Sequence, residues 1–183
     1  MCIKRRDLIL RVIALILIFS GIYGCRIIGI KSNYSFTGAS ISPEVKTVFI
    51  DLFNNRARVI NPTLSQTFTE KMKDKFVSQT SLTLSREQGD LEFSGEITGY
   101  DVRPQSIQTS QQGRDIASMN RLTITVRVNF TNNKDHTQDF KTNFSAYYDW
   151  ESTQTLSAIE NDAVNVITDQ LIEDIFNKSV ANW

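Results

Sequence analysis

One cysteine stands where covalent chemistry would be done to it. The run Ile22-Tyr23-Gly24-Cys25 closes a stretch that begins basic, with Lys4, Arg5 and Arg6, and turns aliphatic from Val12 to Ser20. A charged region, a short apolar region and a small residue before the cut are the layout of a bacterial secretory signal. Cysteine at the cut makes it a lipobox, in which the Cys25 thiol is acylated and the residue becomes the new N-terminus. A membrane span needs roughly 20 apolar residues, and Arg11 and Arg26 bracket a shorter run here. The chain therefore divides into a signal peptide at 1–24, a lipidated N-terminus and linker at 25–43, and a domain at 44–183.

Little else in the chain suggests bond-making chemistry. Cys2 leaves with the signal, so the mature chain has no second thiol for a disulfide or a thiolate metal site. His136 is the single histidine and lies in a polar turn beside Asp135. Catalytic and metal sites need converging partners, and no ligand spacing, phosphate loop or nucleophile elbow occurs. The reading is a non-enzyme without cofactor or metal. Arginine is the other informative type. Arg56 and Arg58 fall together in a loop before a helix, and Arg103 and Arg121 at the ends of neighbouring strands. A guanidinium can grip phosphate or carboxylate through two parallel hydrogen bonds, so these four are candidate anion-binding residues; surface pairing with nearby acids is the competing role.

Charge narrows the partners. The whole chain is balanced at 20 basic and 20 acidic residues. Removal of the signal leaves sixteen basic against nineteen acidic residues. Basic residues concentrate between Arg26 and Phe76, acids after Glu151. With a negative net charge and no basic run interleaved with aromatics, the chain does not read as a nucleic-acid binder.

Elements that would position these residues follow from periodicity. Residues 26–43 form a polar lead. Val45 to Phe53 reads as a strand with Val48, Ile50 and Leu52 on one side and Phe49 and Phe53 on the other, either covered on both sides or ending in a partly buried loop. Asn61-Pro62 predicts a helix start, and Leu64, Phe68, Met72 and Phe76 mark its buried stripe. Three alternating runs follow, around 91–98, 122–130 and 140–150, each with one apolar and one polar face. Residues 132–136 are a hairpin-sized connection between the last two. A short extra strand fits Leu82 to Leu84, and 103–118 reads as a Gln-rich loop. Ser157 and Glu160 have capping-box spacing. They begin a helix whose stripe is Leu156, Ile159, Ala163, Val166, Ile167, Leu171 and Ile175. The order β-α-β-β-β-α predicts an α+β two-layer sandwich, with two helices on one face of a mixed four-stranded sheet and the first strand parallel to a neighbour. The polar face stays open.

Several stretches carry a resemblance. They are Tyr34-Ser35-Phe36-Thr37-Gly38, the run Asn61 to Glu70, Gly95-Glu96-Ile97-Thr98-Gly99-Tyr100, the run Asn120 to Val126, and Asp174-Ile175-Phe176-Asn177-Lys178. In this order they span the mature chain, which resembles the LptE family of lipopolysaccharide-assembly lipoproteins of the outer membrane. The resemblance implies two helices on a mixed sheet and a non-catalytic role as a plug and assembly partner of the LptD β-barrel, passing lipopolysaccharide to the surface. Arg26-Ile27-Ile28 after the cysteine contains no acidic cluster, which favours the periplasmic side of the outer membrane. The alternative is a periplasmic-facing lipoprotein subunit of another envelope or secretion complex that reuses the same module, since fold alone does not choose.

Overall fold

The computed structural model describes residues 41–58, 61–106 and 118–180. The signal peptide, Cys25, most of the linker and the Tyr34–Gly38 motif lie outside the described residues, as does the centre of the Gln-rich segment.

Three long antiparallel strands form the backbone of the sheet: β4 (Leu91–Ser106), β5 (Ser118–Asn132) and β6 (Phe140–Glu151). Ahead of them come β1 (Thr47–Ile50), β2 (Asn54–Asn55), helix α1 (Leu64–Gln79) and β3 (Thr83–Leu84); helix α2 (Leu156–Val180) closes the chain. The strand order is β3-β1-β4-β5-β6, and β2 also pairs with β4. β1 runs parallel to both β3 and β4, as the crossover through α1 requires. The architecture is the expected α+β sandwich. The sheet has six strands rather than four because β2 and β3 are two-residue pieces; β3 is the extra strand foreseen at Leu82–Leu84.

Alternation places the core. Leu91, Phe93 and Ile97 of β4, Leu122, Ile124, Val126, Val128 and Phe130 of β5, and Ala146 and Trp150 of β6 are buried. With Leu64, Phe68, Met72 and Phe76 of α1 and the inner face of α2 they make one cluster. Phe76 joins both helices to the sheet. Its ring centroid lies 4.7 Å from that of Phe93 and 5.2 Å from that of Phe176, both in tilted contacts.

The first helix starts as its sequence signals. Asn61 Oδ1 accepts from the backbone N–H groups of Thr63 and Leu64 at 3.1 Å each. Asn61 thus satisfies two of the free donors at the N-terminus, although regular α-helix begins only at Leu64. The second helix does not use its predicted capping box. Ser157 lies inside α2, and Glu160 turns to the sheet instead. Its Oε1 accepts from the Tyr100 hydroxyl at 2.6 Å and from Asn61 Nδ2 at 3.0 Å. A buried phenol needs a partner more than an exposed helix end does. Burial, then Glu160, pushes the Tyr100 phenol far above its ordinary value.

The buried stripe of α2 also differs from expectation. Val166 is 49% exposed, whereas Val164, Thr168, Ile172 and Phe176 join Ile167, Leu171 and Ile175 inside. The stripe is wider and rotated because α2 packs on the sheet and on α1 at once. Thr168 enters the core by donating its hydroxyl to the Val164 carbonyl at 2.6 Å. Between the helices, Lys71 meets Asp169 at 2.7 Å and Lys75 meets Glu173. Part of the charge asymmetry read along the chain is thus spent inside the fold, tying the basic helix to the acidic one.

The expected strand from Val45 to Phe53 breaks after Ile50. Leu52 turns out at 49% exposed and Phe53 turns in, fully buried, which reverses the predicted sides of both. Side chains of α1 hold the break. The Phe53 N–H donates to Thr69 Oγ1 at 3.1 Å, and Ser65 Oγ donates to the Phe53 carbonyl at 2.6 Å. Gly95 makes room for the ring, since a Cβ there would stand 2.6 Å from Phe53 Cε1.

Asp90 pins the sheet at the other end. Its Oδ2 accepts from the backbone N–H of Lys46 at 2.8 Å, from that of Thr47 at 3.0 Å, and from Thr47 Oγ1 at 3.0 Å. Lys134 Nζ sits 3.0 Å from Oδ1. The Lys46 amide, followed by Lys134, holds the carboxyl far below its ordinary value of 3.8. A folded-state value below the unfolded one gives stability that is present above the ordinary carboxylate range and lost as pH falls beneath it. Asp90→Asn should therefore lower the melting temperature at pH 7 and narrow the gap to the parent as pH drops from 5 to 2, measured by circular dichroism melts.

Candidate functional site

Among the described residues no buried catalytic constellation emerges, and the candidate site is a surface. Because α1 and α2 bury their apolar stripes against one side of the sheet, the other side carries the alternate residues of β4, β5 and β6 into solvent. These are half-buried or exposed and almost all polar. The β4–β5 and β5–β6 registers arrange them in rows across three strands.

One row is Arg103, Arg121 and Asp149. Arg121 grips Asp149 through two bonds, Nε to Oδ1 and Nη2 to Oδ2, each 2.7 Å. Its guanidinium also lies 3.7 Å from the Tyr147 ring centroid. Asp149 pushes the Arg121 guanidinium further up, and Arg121 in turn holds Asp149 below the usual carboxylate range. A second row pairs Arg127 with Glu96 at 2.7 Å. Between the two rows Thr125 and Ser145 exchange a hydroxyl bond of 2.8 Å. Asp101, Arg103, Lys141 and Glu151 stand on the same face without an ion-pair partner among the described residues. The face is a hydrophilic panel of hydroxyls, two ion pairs and exposed single charges of both signs, able to contact water, sugars or other polar walls. Among the described residues no group of three or more His, Cys, Asp or Glu side chains converges. His136 pairs with Asp139 at 3.0 Å in the exposed loop between β5 and β6.

The four candidate arginines fall in two places. Arg56 and Arg58 are exposed just after β2, where the Arg56 N–H donates to the Ile97 carbonyl at 2.8 Å. Arg103 and Arg121 face each other directly across β4 and β5. Both sit within the ladder, because β4 continues to Ser106 and β5 starts at Ser118; residues 103–106 are strand, not the loop expected from sequence. At 3.3 Å per residue the two pairs stand roughly 20 Å apart. Among the described residues Arg103 has no carboxylate within ion-pair distance, whereas Arg121 is engaged by Asp149. Sequence alone did not bring out the Glu96–Arg127 pair or the Tyr147 stack. Strand alternation puts all four on the polar side, but only the register brings them together, and that register includes a bulge between Ile97 and Gly99.

With this geometry established, comparison with known proteins decides the family. Residues 45–179 match the LptE family, described as lipopolysaccharide-assembly. The chain belongs to the LptE family. LptE membership thus covers all the elements from the first strand to the last helix. No curated protein matches the chain by sequence. Among solved structures, a minor lipoprotein from Acinetobacter baumannii is similar at 12% identity and a TM-score of 0.47, over 74% of this chain and 92% of that one. The protein CT253 from Chlamydia trachomatis is similar at 9% identity and a TM-score of 0.49, over 75% and 99%. The PelC dodecamer from Paraburkholderia phytofirmans is similar at 11% identity and a TM-score of 0.44, over 78% and 95%.

Proposed function

We propose that this LptE-family chain is a non-catalytic lipoprotein of the outer membrane that seats in an LptD-like β-barrel, assists the assembly of that barrel and helps pass lipopolysaccharide to the cell surface. The observation that carries the reading is the segregation of the sheet: its apolar side is sealed by its own helices, and no described element packs on its hydrophilic side. Such a panel suits a hydrated pore wall: Arg121 and Arg127 arrive already neutralised, and the remaining single charges keep their hydration in a water-filled interior. Family membership supplies the lipopolysaccharide context.

The tether belongs to the same reading. Residues 1–24 are removed, Cys25 is acylated, and residues 25–43 span from the lipid on the periplasmic side to the domain at 44–183. Several acyl chains on one residue make attachment stable. Cys25→Ala should abolish metabolic labelling with palmitate and move the chain from the membrane to the soluble fraction. Arg56, Arg58 and Arg103 are the side chains offered to the phosphates of lipopolysaccharide, with Arg121 a weaker contributor while Asp149 holds it. Affinity capture of the mature lipoprotein from outer membranes tests the partner. Recovery of a very large β-barrel, with lipopolysaccharide stranded inside depleted cells, supports the proposal. Recovery of another envelope complex with normal lipopolysaccharide export overturns it.

A further inference from the structure

The outermost strand on one side of the sheet, β6, offers twelve residues of backbone whose outer side no described segment pairs. Edges of this kind are blunted by charge, by proline, by a bulge or by brevity, because bare amide groups recruit other strands. Of the last three devices β6 has none, and its charges Lys141, Asp149 and Glu151 lie near its two ends. It contains no proline, and its twelve residues pair with β5 in unbroken register from Phe140 to Glu151. Its side chains are unusually sticky for an edge: Tyr147 is 51% exposed, and Phe140, Phe144 and Tyr148 are only half-buried.

The residue pattern of β6 is complementary to itself. Let a second copy lie antiparallel beside it, with the two-fold axis through Ala146. Lys141 then meets Glu151 of the other copy, Asn143 meets Asp149, Ser145 meets Tyr147, and Phe144 meets Tyr148, each twice by symmetry. Lys141, Asn143, Ser145 and Tyr147 stay on the polar face. Phe144 and Tyr148 stay on the helix face, and the smallest side chain sits on the axis. Opposite charges and aromatic pairs placed directly across strands are the contacts that stabilise antiparallel pairing. Shifting the axis by one residue, to Ser145, would oppose Lys141 to Asp149 and Phe140 to Trp150 but set Glu151 against Asp139, so cross-linking between positions 141 and 151 reads which register forms.

We propose that the free form of this chain pairs with a second copy through β6, forming one continuous sheet of twelve strands with both hydrophilic panels on the same side. This goes beyond the barrel-seating reading and does not depend on it. The test uses the full chain purified in detergent, probed by oxidative disulfide cross-linking and sedimentation. In the double variant Lys141→Cys with Glu151→Cys, each new cysteine lies opposite its counterpart on the other copy, and a cross-linked dimer is expected. Either single variant, in the mature lipoprotein where Cys2 has left with the signal and the Cys25 thiol carries lipid, places its new thiol a strand's length from its equivalent and should not cross-link. Lys141→Glu should weaken self-association about tenfold by opposing like charges twice, and adding Glu151→Lys should restore it. Both substituted positions, Lys141 and Glu151, are exposed. A chain that sediments as a monomer at all concentrations, or singles that cross-link as well as the double, would overturn the proposal.

Discussion

Phe76→Ala should destabilise the domain by about 3–5 kcal/mol, the range for emptying a fully buried aromatic site. The side chain has no exposed surface, and it touches Phe93 in the sheet and Phe176 in α2. Its removal opens a void where three elements meet, and no neighbour can close it without breaking contact with another. The next residue is the internal control. Val77 is 47% exposed, and Val77→Ala should stay within about 0.5 kcal/mol of the parent. Urea unfolding checks both: the Phe76→Ala midpoint should fall with the slope unchanged. A loss under about 1 kcal/mol would mean that the helices do not seal the sheet as described.

Gly95→Ala is the second large effect, and it works through overpacking. A Cβ at Gly95 would lie 2.1 Å from the Arg127 carbonyl oxygen and 2.6 Å from Phe53 Cε1. The carbonyl belongs to the middle of the β4–β5 ladder, and the ring is wedged where the first strand breaks. Neither is the loose end of a flexible side chain. Overpacking costs about 1–3 kcal/mol where neighbours can shift, and here the upper end, about 3 kcal/mol, is expected. For a chain of this size that corresponds to a melting temperature lower by roughly 6–12 °C. Adding Phe53→Leu should recover only part of the loss, because it relieves the ring contact and leaves the carbonyl contact. A double-mutant cycle measures the difference.

The long strands could be read from the chain because their pattern is local. Alternation alone fixes which residues of β5 and β6 face the helices, and the four-residue spacing from Leu64 to Phe76 fixes the buried stripe of α1. What escaped the sequence is set by contacts between distant segments. Phe53 reverses side because Thr69 and Ser65 of α1 capture its backbone. Glu160 abandons its capping box because Tyr100, sixty positions away, needs an acceptor. The stripe of α2 rotates past Val166 because that helix serves two partners. The candidate site was legible to the same degree: its polar face follows from alternation, while the pairing of Arg121 with Asp149 and Arg127 with Glu96 depends on a register that no local pattern specifies.

Seating in a barrel requires the hydrophilic side of the sheet to lie against another protein's wall. A photo-cross-linking amino acid placed at Thr123 or Ser145, both on that side, tests this directly in living cells. Covalent adducts with a very large outer-membrane β-barrel are the predicted result. An absence of barrel adducts from both positions in cells that contain the barrel would contradict it.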